Sequence, residues 1–226
     1  MATALFMQMV IEMTDAETDQ EHIEMLIHSR PQIPDRTNFI LGLSMDNPAP
    51  EMIKIGRELT KQGAEVIAIP CITANYFYRT LTEEIPAEII NVIEEICLYL
   101  RERNIKRAGL LATTGTVQSR LFQDIFSAHG CELTVPSEER QQDIMYVIYR
   151  NVKANRPVDL NRFFAASEEL RREGAEVVIL GCTELSVVRE NYSIGGGYLD
   201  AMQLMAKCAV ESCGRLREEY RELITK

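Results

Sequence analysis

The sequence predicts an α/β fold of two similar, doubly wound parallel-sheet domains, and an internal duplication is the main observation behind this prediction. The stretch "GAEVIAIPCITAN", residues 63–75, is repeated in outline as "GAEVVILGCTELS", residues 174–186. Each copy places a cysteine eight residues after its first glycine, at Cys71 and at Cys182. Because the copies lie about half a chain apart, they indicate two versions of one α/β unit rather than a short-period repeat.

Each copy is preceded by an amphipathic helix and contains a short apolar run. "MIKIGRELTKQ" ends at Gly63 and "FFAASEELRRE" ends at Gly174, and glycine commonly ends a helix. The apolar runs at 66–69 and 177–180 are typical of parallel strands covered on both faces. Ligands in open parallel sheets bind beyond the carboxyl ends of the strands, which is where both cysteines are expected.

The other elements of the two halves correspond only in part. In the second half, "RAGLLATTGT" predicts a strand and loop, "VQSRLFQDIFSAHG" a helix, "CELTVP" a strand, and "IMYVIYRNVKANR" a helix. In the first half, "ATALFMQMVIEM" corresponds to the first of these helices and "HIEMLIHS" to the strand after it. Nothing corresponds to "RAGLLATTGT", so we expect the first half to lack its opening strand and loop.

These elements define two predicted domains. Residues 1–97 form an N-terminal α/β domain without its first strand, completed by a C-terminal helix at residues 200–226. Residues 98–199 form the C-terminal α/β domain, with the active site in the cleft between the two. Asp200 is predicted to cap the C-terminal helix. The glycine run at 195–197 predicts a flexible connection where the first half has a strand.

Composition excludes several classes of function. A net charge of −10 disfavours nucleic acids and anionic membrane surfaces as partners. No apolar stretch is long enough to span a membrane, and the first residues do not resemble a signal peptide, so we expect a cytoplasmic protein. The six cysteines are then expected to be reduced, and without a C-x-x-C or H-E-x-x-H pattern no metal site is predicted.

Paired cysteines at matched strand ends suit one kind of chemistry. Inverting a stereocentre at carbon requires a base on one face and an acid on the other, and thiols titrate close enough to neutral pH for both tasks. A single cysteine after a strand is more often a small buried side chain. The duplicated setting favours the catalytic interpretation for Cys71 and Cys182, whereas the other four cysteines are predicted to be structural.

The same residues carry a resemblance to the aspartate/glutamate racemase family, in its aspartate racemase branch. "PCITANYFY" resembles the family signature P-C-N-T-A-H, and "GCTEL" resembles the second signature, G-C-T-E. "PQIPDRT", "GLLATTGT" and "IYRNVKAN" also fit the family pattern. The resemblance implies two similar α/β domains, an active site between them, no pyridoxal phosphate, no metal and no other cofactor, a small acidic amino acid as substrate, and a homodimer.

The resemblance also implies roles for individual residues. Cys71 and Cys182 would be catalytic, and Arg36 and Lys153 would bind the distal carboxylate of the substrate. The remaining predicted substrate-binding positions are Ile72, Thr73, Thr116 and Thr183. Ile72 stands where the family usually has asparagine, and Asn75 stands where it has histidine.

The leading hypothesis is therefore a cofactor-independent racemase that interconverts L- and D-aspartate, or glutamate, by thiol and thiolate proton exchange. One alternative is a maleate isomerase or an arylmalonate-decarboxylase-like enzyme of the same superfamily, for which Ile72 leaves room. Another is an inactive, vestigial binding protein, suggested by the expected loss of the first strand.

Overall fold

The computed structural model describes residues 2–226, and their strands form two parallel sheets. The first sheet has two strands in the order β1-β2, and the second has four in the order β4-β3-β5-β6. The predicted α/β class with parallel sheets is confirmed. The strands are β1 (Val66–Ile67), β2 (Glu88–Ile89), β3 (Arg107–Leu111), β4 (Glu132–Thr134), β5 (Val177–Leu180) and β6 (Tyr198–Asp200).

Eleven α-helices among the described residues connect and cover these strands. In the first half they are α1 (Ala2–Met13), α2 (Arg36–Ile40), α3 (Ala49–Lys61), α4 (Tyr78–Glu84) and α5 (Val92–Glu102). In the second half they are α6 (Thr114–Gln118), α7 (Leu121–Ala128), α8 (Glu138–Tyr146), α9 (Leu160–Arg172), α10 (Thr183–Asn191) and α11 (Ala201–Cys213). A π-helical segment, Val147–Val152, continues directly from α8. No helix among these residues is both long enough and apolar enough to cross a membrane.

The C-terminal sheet is covered on both faces, as its continuous apolar strands predict. All four residues of β5 are buried. Val177 and Ile179 belong to the apolar cluster that includes α5 and α7, while Val178 and Leu180 belong to the cluster that includes α8 and α9. Successive side chains of a strand point to opposite faces, so a strand between two helix layers must be apolar throughout.

The N-terminal sheet is smaller, and one predicted strand does not join it. Within β1, Ile67 packs towards α3 and α4, while Val66 packs towards α1 and α11. Residues 22–29, predicted to form a strand, make no backbone hydrogen bond to either sheet among the described residues. That prediction was wrong, because a strand is stabilised by a neighbouring strand and this segment has none to pair with.

The C-terminal helix packs against the first half of the chain. Helix α11 contacts α1, α5 and β1. Its cap is the one predicted: the Asp200 carboxylate accepts hydrogen bonds from the backbone N–H of Met202 and Gln203, at 2.9 and 3.3 Å. The predicted boundary between residues 97 and 98 lies inside α5, and the division into domains stays a prediction.

The glycine run before β6 is a defined turn rather than a flexible connection. Gly195 and Gly197 both have positive φ, which glycine adopts without strain. The Gly197 N–H donates to the Thr225 carbonyl at 2.7 Å, and the Thr225 N–H donates to the Tyr198 carbonyl at 2.9 Å. The C-terminal tail therefore fixes this turn and the strand that follows it.

Candidate active site

The duplication places the two cysteines in equivalent backbone positions. Cys71 follows β1 and precedes a 3₁₀ turn, Ile72–Phe77, while Cys182 follows β5 and precedes α10. Both residues have extended backbones, with φ of −156° and −148°, and both occupy the capping position of the helical segment after them. A helix start presents free backbone N–H groups and positive potential, which favours negative charge.

Cys71 lies against a fixed cation. The Arg36 Nε donates to the Cys71 Sγ at 3.3 Å, and the Arg36 Nη1 donates to the carbonyls of Ile33 and Pro34 at 3.2 and 3.0 Å. The negative charge of Cys71 is the main cause that raises the pKa of Arg36, against the opposing effect of burial. The backbone carbonyls hold the guanidinium in place, so it can stabilise a thiolate on Cys71.

Cys182 has the opposite kind of neighbour. Its Sγ donates to the Glu184 Oε2 at 2.8 Å. Burial, followed by the negative charge of Glu184, raises the pKa of the Cys182 thiol well above its usual value. Since a carboxylate can only accept a hydrogen bond, this contact requires the protonated thiol. The two cysteines therefore differ in their surroundings: Cys71 lies against the Arg36 guanidinium, and Cys182 lies against the Glu184 carboxylate.

A second cation lies near Cys182. The Lys153 Nζ is 3.5 Å from the Asp35 Oδ2 and 3.9 Å from the centre of the Tyr149 ring. Burial lowers the pKa of Lys153, but the surrounding negative charges, with Glu184 first and Cys182 among them, raise it overall. Lys153 is thus held as a cation within the electric field of the second cysteine.

The lysine is presented by an irregular helix. Sequence periodicity predicts one continuous helix over 144–156, but the π-helical segment Val147–Val152 interrupts it just before Lys153. Such segments are often found at functional sites because they change the direction in which side chains point. The Tyr149 hydroxyl donates to the Asp35 carboxylate at 3.2 Å and so connects this segment to the start of α2.

Four threonine hydroxyls join the two halves of the chain beside the cysteines. The Thr73 Oγ1 lies 3.0 Å from the Thr116 Oγ1 and 3.2 Å from the Thr113 Oγ1, and the Thr37 hydroxyl donates to Thr113 at 3.1 Å. All four side chains are buried. Sequence reasoning identified Thr73 and Thr116 but missed Thr37 and Thr113. Only their positions in the sequence could have indicated them: Thr37 directly follows Arg36, and Thr113 lies within "ATTGT".

The two halves of the chain lie close together at Gly115, and this closeness gives a prediction. A Cβ at Gly115 would lie 2.9 Å from the Thr37 Cα, which is backbone and cannot move aside alone. We expect Gly115→Ala to destabilise the protein by about 1–3 kcal/mol and to lower its Tm by several degrees. Differential scanning calorimetry measures this effect.

Gly214→Ala is a suitable control, because its added Cβ would be 3.3 Å from a side-chain carbon of Ile23 rather than against backbone. Equal stability losses in the two variants would contradict the close approach at Gly115.

The other predicted substrate-binding residues are buried around the cysteines. Ile72 is only 2% exposed and belongs to the large apolar cluster. The Thr183 hydroxyl donates to the Glu184 Oε2 at 3.3 Å. The Asn75 side chain donates to the Ile72 carbonyl at 2.9 Å and so stabilises the turn after Cys71. The substrate-binding roles of Ile72 and Thr183 stay predictions.

The different surroundings of the cysteines predict different rates of alkylation. Thiolates are the reactive form, so limiting iodoacetamide at neutral pH should modify Cys71 well before Cys182. Glu184→Gln removes a charge that raises the pKa of Cys182, so this variant should alkylate faster at Cys182 and at an unchanged rate at Cys71.

Peptide mass spectrometry over a time course measures both rates. Preferential modification of Cys182 in the unaltered protein would contradict the expected effect of the two different neighbours, Arg36 and Glu184.

Among residues 2–226, no three histidine, cysteine, aspartate or glutamate side chains gather where they could hold a metal ion.

Comparison with known sequences finds similarity along most of the chain. A family model described as Asp/Glu/Hydantoin racemase matches residues 1–209. The broad specificity amino-acid racemase RacX of Bacillus subtilis (strain 168) is 24% identical over 217 residues, which cover 93% of this chain and 92% of that protein. A glutamate racemase of Corynebacterium glutamicum is 29% identical over 133 residues, covering 58% of this chain and 48% of that enzyme.

Comparison with solved structures finds the same architecture. An aspartate racemase of Picrophilus torridus superposes with a TM-score of 0.82 at 25% identity, covering 97% of this chain and 93% of that one. An aspartate racemase homologue from Pyrococcus horikoshii OT3 superposes with a TM-score of 0.72 at 19% identity, covering 93% of both chains. This similarity is one of fold.

Proposed function

The chain belongs to the Asp/Glu/hydantoin racemase family. From this premise we propose that it racemises an acidic amino acid, with a preference for aspartate over glutamate, by means of two thiols and no cofactor. Membership of the family makes it an amino-acid racemase, an enzyme of the isomerase class. The choice of substrate and the two-thiol mechanism form the proposal.

The contrast between the two cysteines is the observation that carries the mechanism. Cys71 faces the Arg36 guanidinium, whereas Cys182 donates to the Glu184 carboxylate. In the proposed reaction the Cys71 thiolate removes the α-proton from one face of the substrate. The Cys182 thiol then donates its proton to the opposite face of the same carbon. One C–H bond is broken and one is formed, and the two sulfurs exchange their protonation states.

The nearby cations suit the charges that this reaction creates. After one inversion Cys182 carries the negative charge, and Lys153 is close enough to stabilise it next to Glu184. The reverse reaction then begins with Cys182 as base and Cys71 as acid. Each enantiomer therefore reacts with a different protonation state of the enzyme: one with Cys71 as base and Cys182 as acid, the other with these roles reversed.

An acidic side chain on the substrate is favoured by the free donors of Arg36. Its Nε and Nη1 donate to protein atoms, while its Nη2 has no hydrogen-bond partner among residues 2–226. A guanidinium presents planar N–H donors that match a carboxylate, and Lys153 adds a second positive charge. The likeness to an aspartate racemase supports aspartate, and the likeness to a broad specificity racemase makes glutamate the necessary comparison.

The test is a chiral assay of both enantiomers of aspartate and glutamate in D₂O, without added pyridoxal phosphate. We expect conversion in both directions, faster with aspartate, and one solvent deuterium at Cα of each inverted molecule. Inversion with complete retention of the original hydrogen would contradict the two-thiol scheme. Faster conversion of glutamate would contradict the choice of substrate while leaving the mechanism intact.

Ile72 favours a second candidate, an isomerase or decarboxylase that acts on a dicarboxylate without an amino group. An apolar side chain stands where an amide could bind the polar end of an amino acid, and it is buried. Conversion of maleate or an arylmalonate, with no reaction of either amino acid, would establish this alternative. The cytoplasmic location and the homodimer stay predictions.

A further inference from the structure

Glu184 lies beside Cys182 with one carboxylate oxygen free, and we propose that this oxygen binds the α-ammonium group of an amino-acid substrate. Glu184 would thereby favour amino acids over dicarboxylates that lack the amino group. The inference rests on the proposed function, because it adds a specificity-determining residue to the same site. In that scheme Arg36 and Lys153 receive the distal carboxylate of the substrate, but its ammonium group has no partner.

The Glu184 carboxylate is engaged through only one of its two oxygens. Its Oε2 accepts hydrogen bonds from the Cys182 Sγ at 2.8 Å and from the Thr183 hydroxyl at 3.3 Å. Its Oε1 has no hydrogen-bond or ion-pair partner among residues 2–226, and the residue is half-buried. An ionised carboxylate only accepts hydrogen bonds, so the free oxygen can receive an N–H group from a ligand.

Glu184 lies in the same site as both cations. The pKa of Arg36 is raised first by the negative charge of Cys71, against the effect of burial, and further by Glu184. Burial lowers the pKa of Lys153, but negative charges raise it overall, and Glu184 is the first of them. Since charge interactions weaken with distance, the Glu184 carboxylate must be near the two side chains proposed to bind the substrate.

The position of Glu184 also suits a group attached to the reacting carbon. In the proposed reaction the α-carbon lies against the Cys182 sulfur, which contacts the Glu184 carboxylate directly. The ammonium nitrogen is bonded to that carbon, so it is brought within reach of the same carboxylate. A carboxylate at this position favours the protonated amine, and a protonated amine makes the α-hydrogen more acidic.

Asp35, the other carboxylate close to Lys153, is already engaged through both oxygens. Its Oδ1 accepts a hydrogen bond from the Asn38 backbone N–H at 2.9 Å. Its Oδ2 accepts one from the Tyr149 hydroxyl at 3.2 Å and lies 3.5 Å from the Lys153 Nζ. Asp35 therefore caps α2 and holds Lys153, whereas Glu184 has an oxygen left for a ligand.

The test is isothermal titration calorimetry of the full chain with aspartate and with succinate, which differs from aspartate only in lacking the amino group. We expect Glu184→Gln to weaken aspartate binding about 10- to 100-fold, because a charge-assisted hydrogen bond to the ammonium group is lost. Succinate binding should stay unchanged or become tighter. Steady-state kinetics should show kcat/KM for aspartate falling by a similar factor.

Two further variants serve as controls. Glu190→Gln makes the same chemical change at an exposed position of the same helix, α10, and should leave both affinities unchanged. Asp35→Asn should change the affinities for aspartate and succinate by the same factor, since it acts through Lys153 on a carboxylate that both ligands carry.

The outcomes separate this inference from the proposed function. Equal losses of aspartate and succinate binding in Glu184→Gln would overturn the inference, because Glu184 would then only support the site. A loss confined to aspartate in Asp35→Asn would also overturn it. If aspartate binding depends on Glu184 but aspartate is not inverted, the proposed racemisation fails and this inference holds. If Glu184→Gln racemises aspartate at the unaltered rate and affinity, this inference fails and the proposed function holds.

Discussion

Replacing Cys71 with alanine should abolish racemisation in both directions, with kcat reduced by about 10²- to 10⁴-fold. Replacing Cys182 with alanine should have the same effect. In the two-thiol scheme each cysteine is the base in one direction and the acid in the other, so neither direction survives the loss of one sulfur. Chiral chromatography of aspartate after incubation from either enantiomer measures this loss.

Cys213→Ala is the matched control, because Cys213 is an exposed cysteine outside the site and its removal should leave kcat unchanged. The single-thiol variants also allow a finer test. Cys182→Ala retains Cys71, the proposed base, and should still exchange the α-proton of one enantiomer with solvent deuterium without inverting it. Racemisation by either Cys→Ala variant within a few-fold of the unaltered rate would refute the mechanism.

Arg36→Ala should reduce kcat/KM for aspartate by about 10²- to 10³-fold, the second largest effect that we expect. The guanidinium contacts the Cys71 sulfur and is placed to bind the substrate carboxylate, so its loss removes two interactions at once. Steady-state kinetics measure the effect, and slower alkylation of Cys71 at neutral pH should accompany it.

Arg36→Lys should recover little of this activity, since an ammonium cannot present the planar set of donors that contacts the sulfur and the carboxylate together. Arg79→Ala is the control, because the Arg79 side chain is 92% exposed and, within residues 2–226, pairs only with Glu83 on its own helix. If Arg36→Lys were as active as the unaltered protein, a simple point charge would be sufficient at this position.

Much of this site could be predicted from the sequence because the internal duplication repeats the residues around each cysteine. The repeated phrase identified Cys71 and Cys182 and placed each at a strand end, as the structure shows. Local chemistry also sufficed for Asp200, whose carboxylate caps α11. In each case the residues that determine the local structure lie within a few positions of one another along the chain.

The partners that distinguish the two thiols could not be predicted in this way. Glu184 lies two residues after Cys182, but only its side-chain conformation brings the carboxylate to the sulfur. Tyr149 and Asp35 are 114 positions apart and meet only through the packing of the two halves. At residues 22–29 the sequence predicted a strand that does not form: the residues favour a strand, but a strand also requires an adjacent partner.

The packing of α11 against α1 has a consequence for the order in which the chain folds. The four strands of the C-terminal sheet come from one continuous stretch, residues 107–200. Helix α1 instead packs against a helix that is synthesised about two hundred residues later. During synthesis, helix α1 can therefore complete its packing only after the C-terminal helix leaves the ribosome.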